Sequence, residues 1–491
     1  MYVPYLDLHA HCSLRSYRYI LHLFLGLQTS FRFVWSFVVQ VQAVLYCCGH
    51  HLIIHHSHLP NMMITIMLSP LSLGLLAAAL CFGGGCDAFS AESPSSGESI
   101  ALGRRQVVQK TLLGVSGLLS STFIAPPSSN ATPTADQKAT NNNFFSYKII
   151  PDASPGPDLY PELKSVPASD LKATLAMTKG GGGALWLGEH HNSVMDHKLQ
   201  AEFIQDIYDE RKHSMGRKAP PMAIGLEQVQ VQFQPALDAY IAGKISAEEM
   251  KREVDWEKRW SWSFDGYLPV FETARKLKIP LIALNVDSED LGLVESGGFP
   301  NLPRERMARY ITDAQGFAAF ARKTSYKTYV DYVISPSYDM HKDLGILRTT
   351  ITGQRLDEDM PFSRFFSGRI LWDEGMASAA NAWTKANPGG LMVGLVGADH
   401  VKFQDGIVGR YGRMAKGERD NISVLLNPTL IDTRPSGSVS MAANDSSGAD
   451  QITLQVRYLK EGVDPSGPER RLPESTGGVL PLADYIVMSA T

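Results

Sequence analysis

The sequence predicts an α/β domain: a parallel sheet flanked by helices, with a small helical insertion subdomain. Three observations predict it. Four short, near-continuous apolar runs stand at 184–187, 222–226, 280–284 and 391–396, the pattern of strands buried on both faces. Between them, apolar residues recur at helical spacing, as Leu199, Phe203, Ile204, Ile207 and Tyr208 and in stripes over 306–333 and 362–383. Each run is followed closely by Glu, Asn or His. Strand–helix alternation argues for a parallel sheet, and right-handed crossovers place all the strand C-termini on one edge. Ligands bind beyond that edge in such sheets.

Composition narrows the chemistry. The net charge of −4 over 491 residues gives no basic footprint for nucleic acid. The five cysteines are Cys12, Cys47, Cys48, Cys81 and Cys86. A body without cysteine has no disulfide framework and no thiolate site. Any metal or haem there must be held by His, carboxylate, Tyr or Met.

The chain divides by composition. Residues 1–61 read as a doubtful N-terminal extension, with Met62 or Met63 as an alternative start. Residues 62–147 read as a targeting presequence and linker. The apolar run 64–81 followed by small residues resembles a signal-peptide core. Asp87-Ala88-Phe89 resembles the cleavage signature of bipartite plastid presequences. Arg104-Arg105 ahead of a second apolar run resembles a twin-arginine signal. Stacked in this order, the two signals address a chloroplast thylakoid lumen; secretion or membrane anchoring is the alternative, and the mature form is expected to keep no stable membrane span. The polar stretch 126–147 reads as a linker. The domain then spans 148–434, with its helical insertion at about 235–275, and 435–491 reads as a C-terminal appendix with one strand-like run at 452–459.

The polar groups at the run ends form the candidate site. Glu189, Glu227, Asn285 and His400 converge on one edge. The densest motif is Gly188-Glu189-His190-His191-Asn192, with His197 on the next helix. Gly188 is expected to permit a tight turn, and Asn192 or Ser193 to cap the helix. Gly397-Ala398-Asp399-His400, trailed by Arg410, repeats the Gly-x-x-His form. Imidazole beside carboxylate suits haem iron or a divalent metal, with His191 and His400 as ligands. The insertion carries Trp256, Trp260, Trp262, Phe264 and Tyr267, either as core or as an apolar wall for a flat cofactor.

These stretches, GEHHNSVMDHKLQ (188–200), GLEQVQVQFQPALDAYIAGKIS (225–246), DGYLPVFETARKLKIPLIALN (265–285), WDEGMA (372–377) and GADHVKFQDGIVGR (397–410), resemble in order the ChaN-like haem-binding uptake family. That family is grouped with Tiki proteases and erythromycin esterases. The resemblance implies haem or a related tetrapyrrole as partner, bound at a dimer interface, hence a homodimer, with Tyr and His near the iron. Carried over by motif, it gives His191, His197, Tyr267, Asn285, His400 and Arg410 as cofactor-binding residues. Asn192 stands where the family has Asp, and Val286-Asp287 where Pro usually follows the Asn. The alternative implied by the wider group is a Glu/His-dependent, metal-assisted hydrolase, with Glu189 or Glu227 as general base. Whether the protein is an enzyme stays open at this point.

Overall fold

The computed structural model describes residues 144–154, 160–176, 182–435 and 452–490. The expected extension 1–61 and the presequence and linker up to 143 lie outside the described residues, as does 436–451. The strands are β1 (Phe144–Ile150), β2 (Glu162–Val166), β3 (Gly183–Glu189), β4 (Met222–Gln230), β5 (Leu281–Asn285), β6 (Leu391–Gly397), β7 (Asp420–Leu426), β8 (Gln455–Leu459), β9 (Thr476–Pro481) and β10 (Tyr485–Ser489). Eight of them form one sheet in the order β2-β1-β10-β7-β3-β6-β4-β5. From β10 to β5 every pairing is parallel, and β1 and β2 close one side with antiparallel pairings.

The helices used below are α1 (Ala168–Ala176), α2 (Val194–Met215), α3 (Gln234–Ile241), α4 (Ala247–Glu253), α5 (Phe264–Leu277), α6 (Ser288–Gly297), α7 (Phe362–Ala386), α8 (Ala398–Val401) and α9 (Ile407–Met414). Alternation along each strand divides the core into two layers. Leu185 and Leu187 of β3 join Ile224, Leu226, Val393 and Leu395 under α2, α3 and α5. Ala184 and Trp186 join Ala223, Met392 and Val396 under α7 and α9. Trp186 lies opposite Gly394 in the ladder. A Cβ there would sit 2.4 Å from the indole, so only glycine admits the large ring. The indole N–H donates to Asn421 at 2.8 Å.

All four expected strands are present and adjacent, as β3, β6, β4 and β5. The stripe at 362–383 is a single helix, α7. The stripe at 306–333 is not: it breaks into Arg304–Met307, Ala314–Phe320 and Thr324–Tyr329, with Asp313 capping a fresh start by accepting from the Gly316 amide. The expected linker end at 147 is corrected, because Phe144 already opens β1 with its ring buried on Phe203 of α2. The expected C-terminal appendix is corrected too. The strand-like run pairs with β9 in a small two-stranded sheet, but the closing segment supplies β10, an interior strand between β1 and β7. Val487 is fully buried there. Removing residues 452–490 is therefore expected to abolish cooperative unfolding and cause aggregation, since it bares two strand edges. Thermal unfolding with size-exclusion chromatography checks this; an unchanged transition would show that β10 is dispensable.

Candidate functional site

The last residue of β3, Glu189, sits beside Gly397, the last of β6, and is buried. Its Oε1 accepts from the Tyr267 hydroxyl of α5 at 2.6 Å, from His191 Nδ1 at 2.8 Å and from Gln228 Nε2 of β4 at 3.1 Å; Oε2 accepts from Gln200 Nε2 of α2 at 2.7 Å. Burial alone would raise this carboxyl's pKa. The His191 hydrogen bond and the neighbouring His197 outweigh it and hold the group well below the usual carboxylate range. A carboxylate held ionised by this many donors is a weak acceptor for a substrate proton. Its effect falls on His191: because a carboxylate only accepts, Nδ1 carries the ring proton and Nε2 keeps its lone pair.

His191 Nε2 makes no hydrogen bond among the described residues; Glu227 Oε1 lies 3.9 Å away. The side chain is 19% exposed. Trp262 packs on the ring at 4.3 Å between centroids and Trp260 meets it edge-on at 5.0 Å. Trp256 turns inward against Phe264, Tyr267 and Phe271. The tryptophan-rich insertion is thus both core and wall. Its Ser246–Glu249 capping box starts α4. Gly397 lies so close beneath the imidazole that a Cβ would come within 2.6 Å of Nε2.

Glu227 stands where β4 loses register against β5, and such an irregularity re-aims a side chain. Its Oε2 accepts from the Gly397 amide at 2.6 Å, and Oε1 lies 3.2 Å from His400 Nε2. His400 Nδ1 meets Asp373 of α7 at 2.5 Å. Burial and Arg369 push the His400 pKa down, but Glu227 and Asp373 overcome them and raise it to about 9. Burial opposes Glu227's ionisation, and His400 and His191 still bring its pKa down to about 2. At neutral pH, His400 is an imidazolium donating from both nitrogens between two carboxylates.

A second imidazolium stands next door. His190 Nδ1 and Nε2 each lie 3.0 Å from a carboxylate, Asp196 and Asp432. Burial disfavours its charge, but the two aspartates raise its pKa to about 10. Both histidines keep protons that the unfolded chain releases near 6.5. Their stabilisation is complete below pH 6.5 and lost as the pH rises through about 9 for His400 and about 10 for His190. Glu227 works oppositely: its contribution is present above 4.5 and lost as the pH falls through about 2. Denaturant unfolding is expected to show stability falling by roughly a few kcal/mol between pH 6.5 and 10, and His190→Gln is expected to flatten the upper part of that curve. A pH-independent plateau up to 10 would contradict it.

The structure brings Glu189, His191, His197, Glu227, Tyr267 and His400 together, but in roles the sequence did not give them. Tyr267 is buried and bonded to Glu189; burial first, then the Glu189 charge, raise its pKa well above that of a free phenol. It supports the site and cannot reach a ligand as phenolate. His197 is buried, stacked on Tyr267 at 3.8 Å. Asn285 donates to the Glu227 carbonyl at 2.7 Å and is fully buried. Arg410 lies apart from the site, bonded to Glu374 and Tyr326 and fully buried. His400, doubly protonated, has no lone pair for a metal. Among the described residues no group of three or more His, Cys, Asp or Glu is arranged to hold a metal ion. Glu189 and Glu227, both held strongly ionised, are poor general bases. Gly188 makes no turn: it lies within β3, where a Cβ would press on Val401 and Leu425 at 3.1 Å. Ser193, not Asn192, caps α2, accepting from the Asp196 amide at 3.1 Å. Sequence reasoning missed Asp373, Gln200, Gln228 and His190. All four lie in stretches that carry the family resemblance, but nothing in their spacing gives them a role.

No curated protein matches the chain. Several solved structures are similar at low identity, among them the following three. The structure described as cofacial haem binding to ChaN of Campylobacter jejuni is 14% identical over 71% of this chain and 98% of that one, with a TM-score of 0.40. An erythromycin esterase variant, EreC, in its open conformation is 12% identical over 66% and 93%, at 0.31. A protein of Bacillus cereus is 11% identical over 70% and 94%, at 0.28. Residues 182–410 match the family described as haem-binding uptake, Tiki superfamily, ChaN. That match spans the site from Glu189 to His400, and over those residues the chain is similar to the ChaN family of haem-binding uptake proteins.

Proposed function

We propose that this protein binds haem or a related tetrapyrrole, with His191 Nε2 as the iron ligand. One observation carries the reading. Of the candidate ligands, His191 alone combines partial exposure with a ring nitrogen that makes no hydrogen bond. The chemistry of the donor set fits iron: Glu189 on Nδ1 fixes the tautomer and orientation of the ring, the usual way a protein positions a metal-bound imidazole. Trp260 and Trp262 supply the apolar surface that a flat macrocycle needs. When bound, the haem would bring its iron chemistry to this edge of the sheet. The residues around it hold the imidazole and exclude water. Among the described residues no helix is long and apolar enough to cross a membrane. The tandem signals support action in iron or haem handling inside a plastid lumen, and the family resemblance supports a dimer. Imaging of a tagged full-length chain and light scattering with and without haemin test these two points.

An absorbance titration with haemin tests the binding itself. A saturable Soret shift is expected; a flat titration at micromolar protein would overturn the reading. The free Nε2 is also what a hydrolase would use as its base. Ester turnover lost in His191→Ala, with no Soret shift in the wild type, would favour that reading instead.

A further inference from the structure

Beside His400, two cations are taken almost wholly out of water, and one of them, Arg369, keeps an edge without a hydrogen bond. Arg369 of α7 has a side chain 13% exposed. Its Nε and Nη2 are buried without a hydrogen bond among the described residues. These two nitrogens form one edge of the guanidinium, the edge whose parallel N–H groups grip a carboxylate in two places. The nearest anion is Asp399, whose Oδ2 lies 3.5 Å from Nη2, an ion pair without a hydrogen bond. Lys402, 5% exposed, reaches the other oxygen of Asp399 at 2.6 Å and Asp432 at 3.6 Å. Asp399 differs from both: its side chain is 38% exposed, so it has solvent to turn into once another carboxylate takes its place, while the cations do not.

Leaving a buried guanidinium edge unmatched is costly, and a fold that only needed an ion pair would close the 3.5 Å gap. We propose that Asp399 stands in for a ligand carboxylate: Arg369 and Lys402 form a carboxylate-recognition subsite, and a propionate of the bound tetrapyrrole displaces Asp399 from it. The inference rests on the tetrapyrrole reading and adds to it the polar end of the ligand. The placement is suitable. Asp399 adjoins His400, His400 bonds Glu227, and Glu227 faces His191. The subsite and the iron ligand therefore lie along one line of contacts at the same sheet edge. No bond is made or broken; one carboxylate replaces another.

The test compares haemin with haemin dimethyl ester, whose propionates carry no charge. Wild-type protein is expected to bind haemin about ten- to hundredfold more tightly than the diester. Arg369→Gln, which leaves the Lys402–Asp399 pair in place, is expected to remove most of that difference by weakening haemin alone. Asp399→Asn, which weakens the internal competitor, is expected to tighten haemin and leave the diester unchanged. Equal binding of the two porphyrins by the wild type would overturn the inference and leave the tetrapyrrole reading standing. Binding of neither would overturn both. If Arg369→Gln fails to fold, the wild-type comparison decides alone.

Discussion

Replacing His191 with alanine is expected to weaken haem binding more than about hundredfold while leaving the fold nearly as stable as before. The first half follows from the lone pair: loss of a partner that merely orients a ligand costs ten- to a hundredfold, and removing the ligand itself costs at least as much. The second half follows from burial. His191 is partly exposed, and Glu189 keeps Tyr267, Gln228 and Gln200 as donors when the imidazole is gone. The lost packing on Trp260 and Trp262 is confined to one side of a surface ring. Stability is expected to fall by about 1 kcal/mol. Absorbance titration and denaturant unfolding of the same preparation separate the two effects. Tight haem binding by the variant would remove His191 from the site.

Glu189→Gln is expected to have the reverse balance: a loss of about 3–5 kcal/mol of stability together with a ten- to hundredfold loss of haem affinity. The carboxylate accepts from four donors drawn from α2, β4, α5 and the loop after β3. A glutamine puts an amide NH2 either where Tyr267, His191 and Gln228 point or where Gln200 points, so in either orientation buried donors meet head on. The tautomer of His191 is then no longer fixed. Tyr267→Phe isolates one donor of the set. It is expected to cost roughly 1.5–3 kcal/mol and to leave the shape of the haem spectrum unchanged. Chemical denaturation gives the first numbers and titration the second. A stable Glu189→Gln protein with full affinity would show that the hydrogen-bonded carboxylate neither holds the fold nor orients the imidazole.

The part of the molecule legible in the sequence is the part written in short-range pattern. β3, β4 and β6 are interior strands and β5 the edge strand beside them; all four are largely buried, so they read as apolar runs, and the Glu or His that follows closely after three of them marks the site edge. β7 escaped notice because it begins Asp420-Asn421 and half of it is not fully buried, with Asn421 used to hold Trp186. β2, almost entirely exposed, has no apolar signature. β10 looked like a tail because a strand's place in a sheet depends on pairing, and its partner β1 lies more than three hundred residues earlier.

Within the site, residue identity was legible and direction was not. Glu189, His191, Glu227 and His400 gather as strand topology requires. Which of them faces a ligand depends on what each hydrogen bonds. Tyr267 looks like an iron ligand by motif, yet its hydroxyl points at Glu189 from inside the core. Arg410 looks like a ligand for an anion, yet it is fully buried against Glu374 and Tyr326. Asp373 sits in the middle of a 25-residue helix, where only the approach of α8 gives it a histidine to hold.

The most direct test of the central claim, that His191 is the iron ligand, is electron paramagnetic resonance of the ferric haem complex, taken for the wild type, Tyr267→Phe and His191→Ala, the last with and without added imidazole. The expected result is an imidazole-ligated signal in the wild type, the same signal in Tyr267→Phe, its loss in His191→Ala, and its return when imidazole is supplied. A phenolate-ligated signal, or an imidazole signal that survives in His191→Ala, would contradict it.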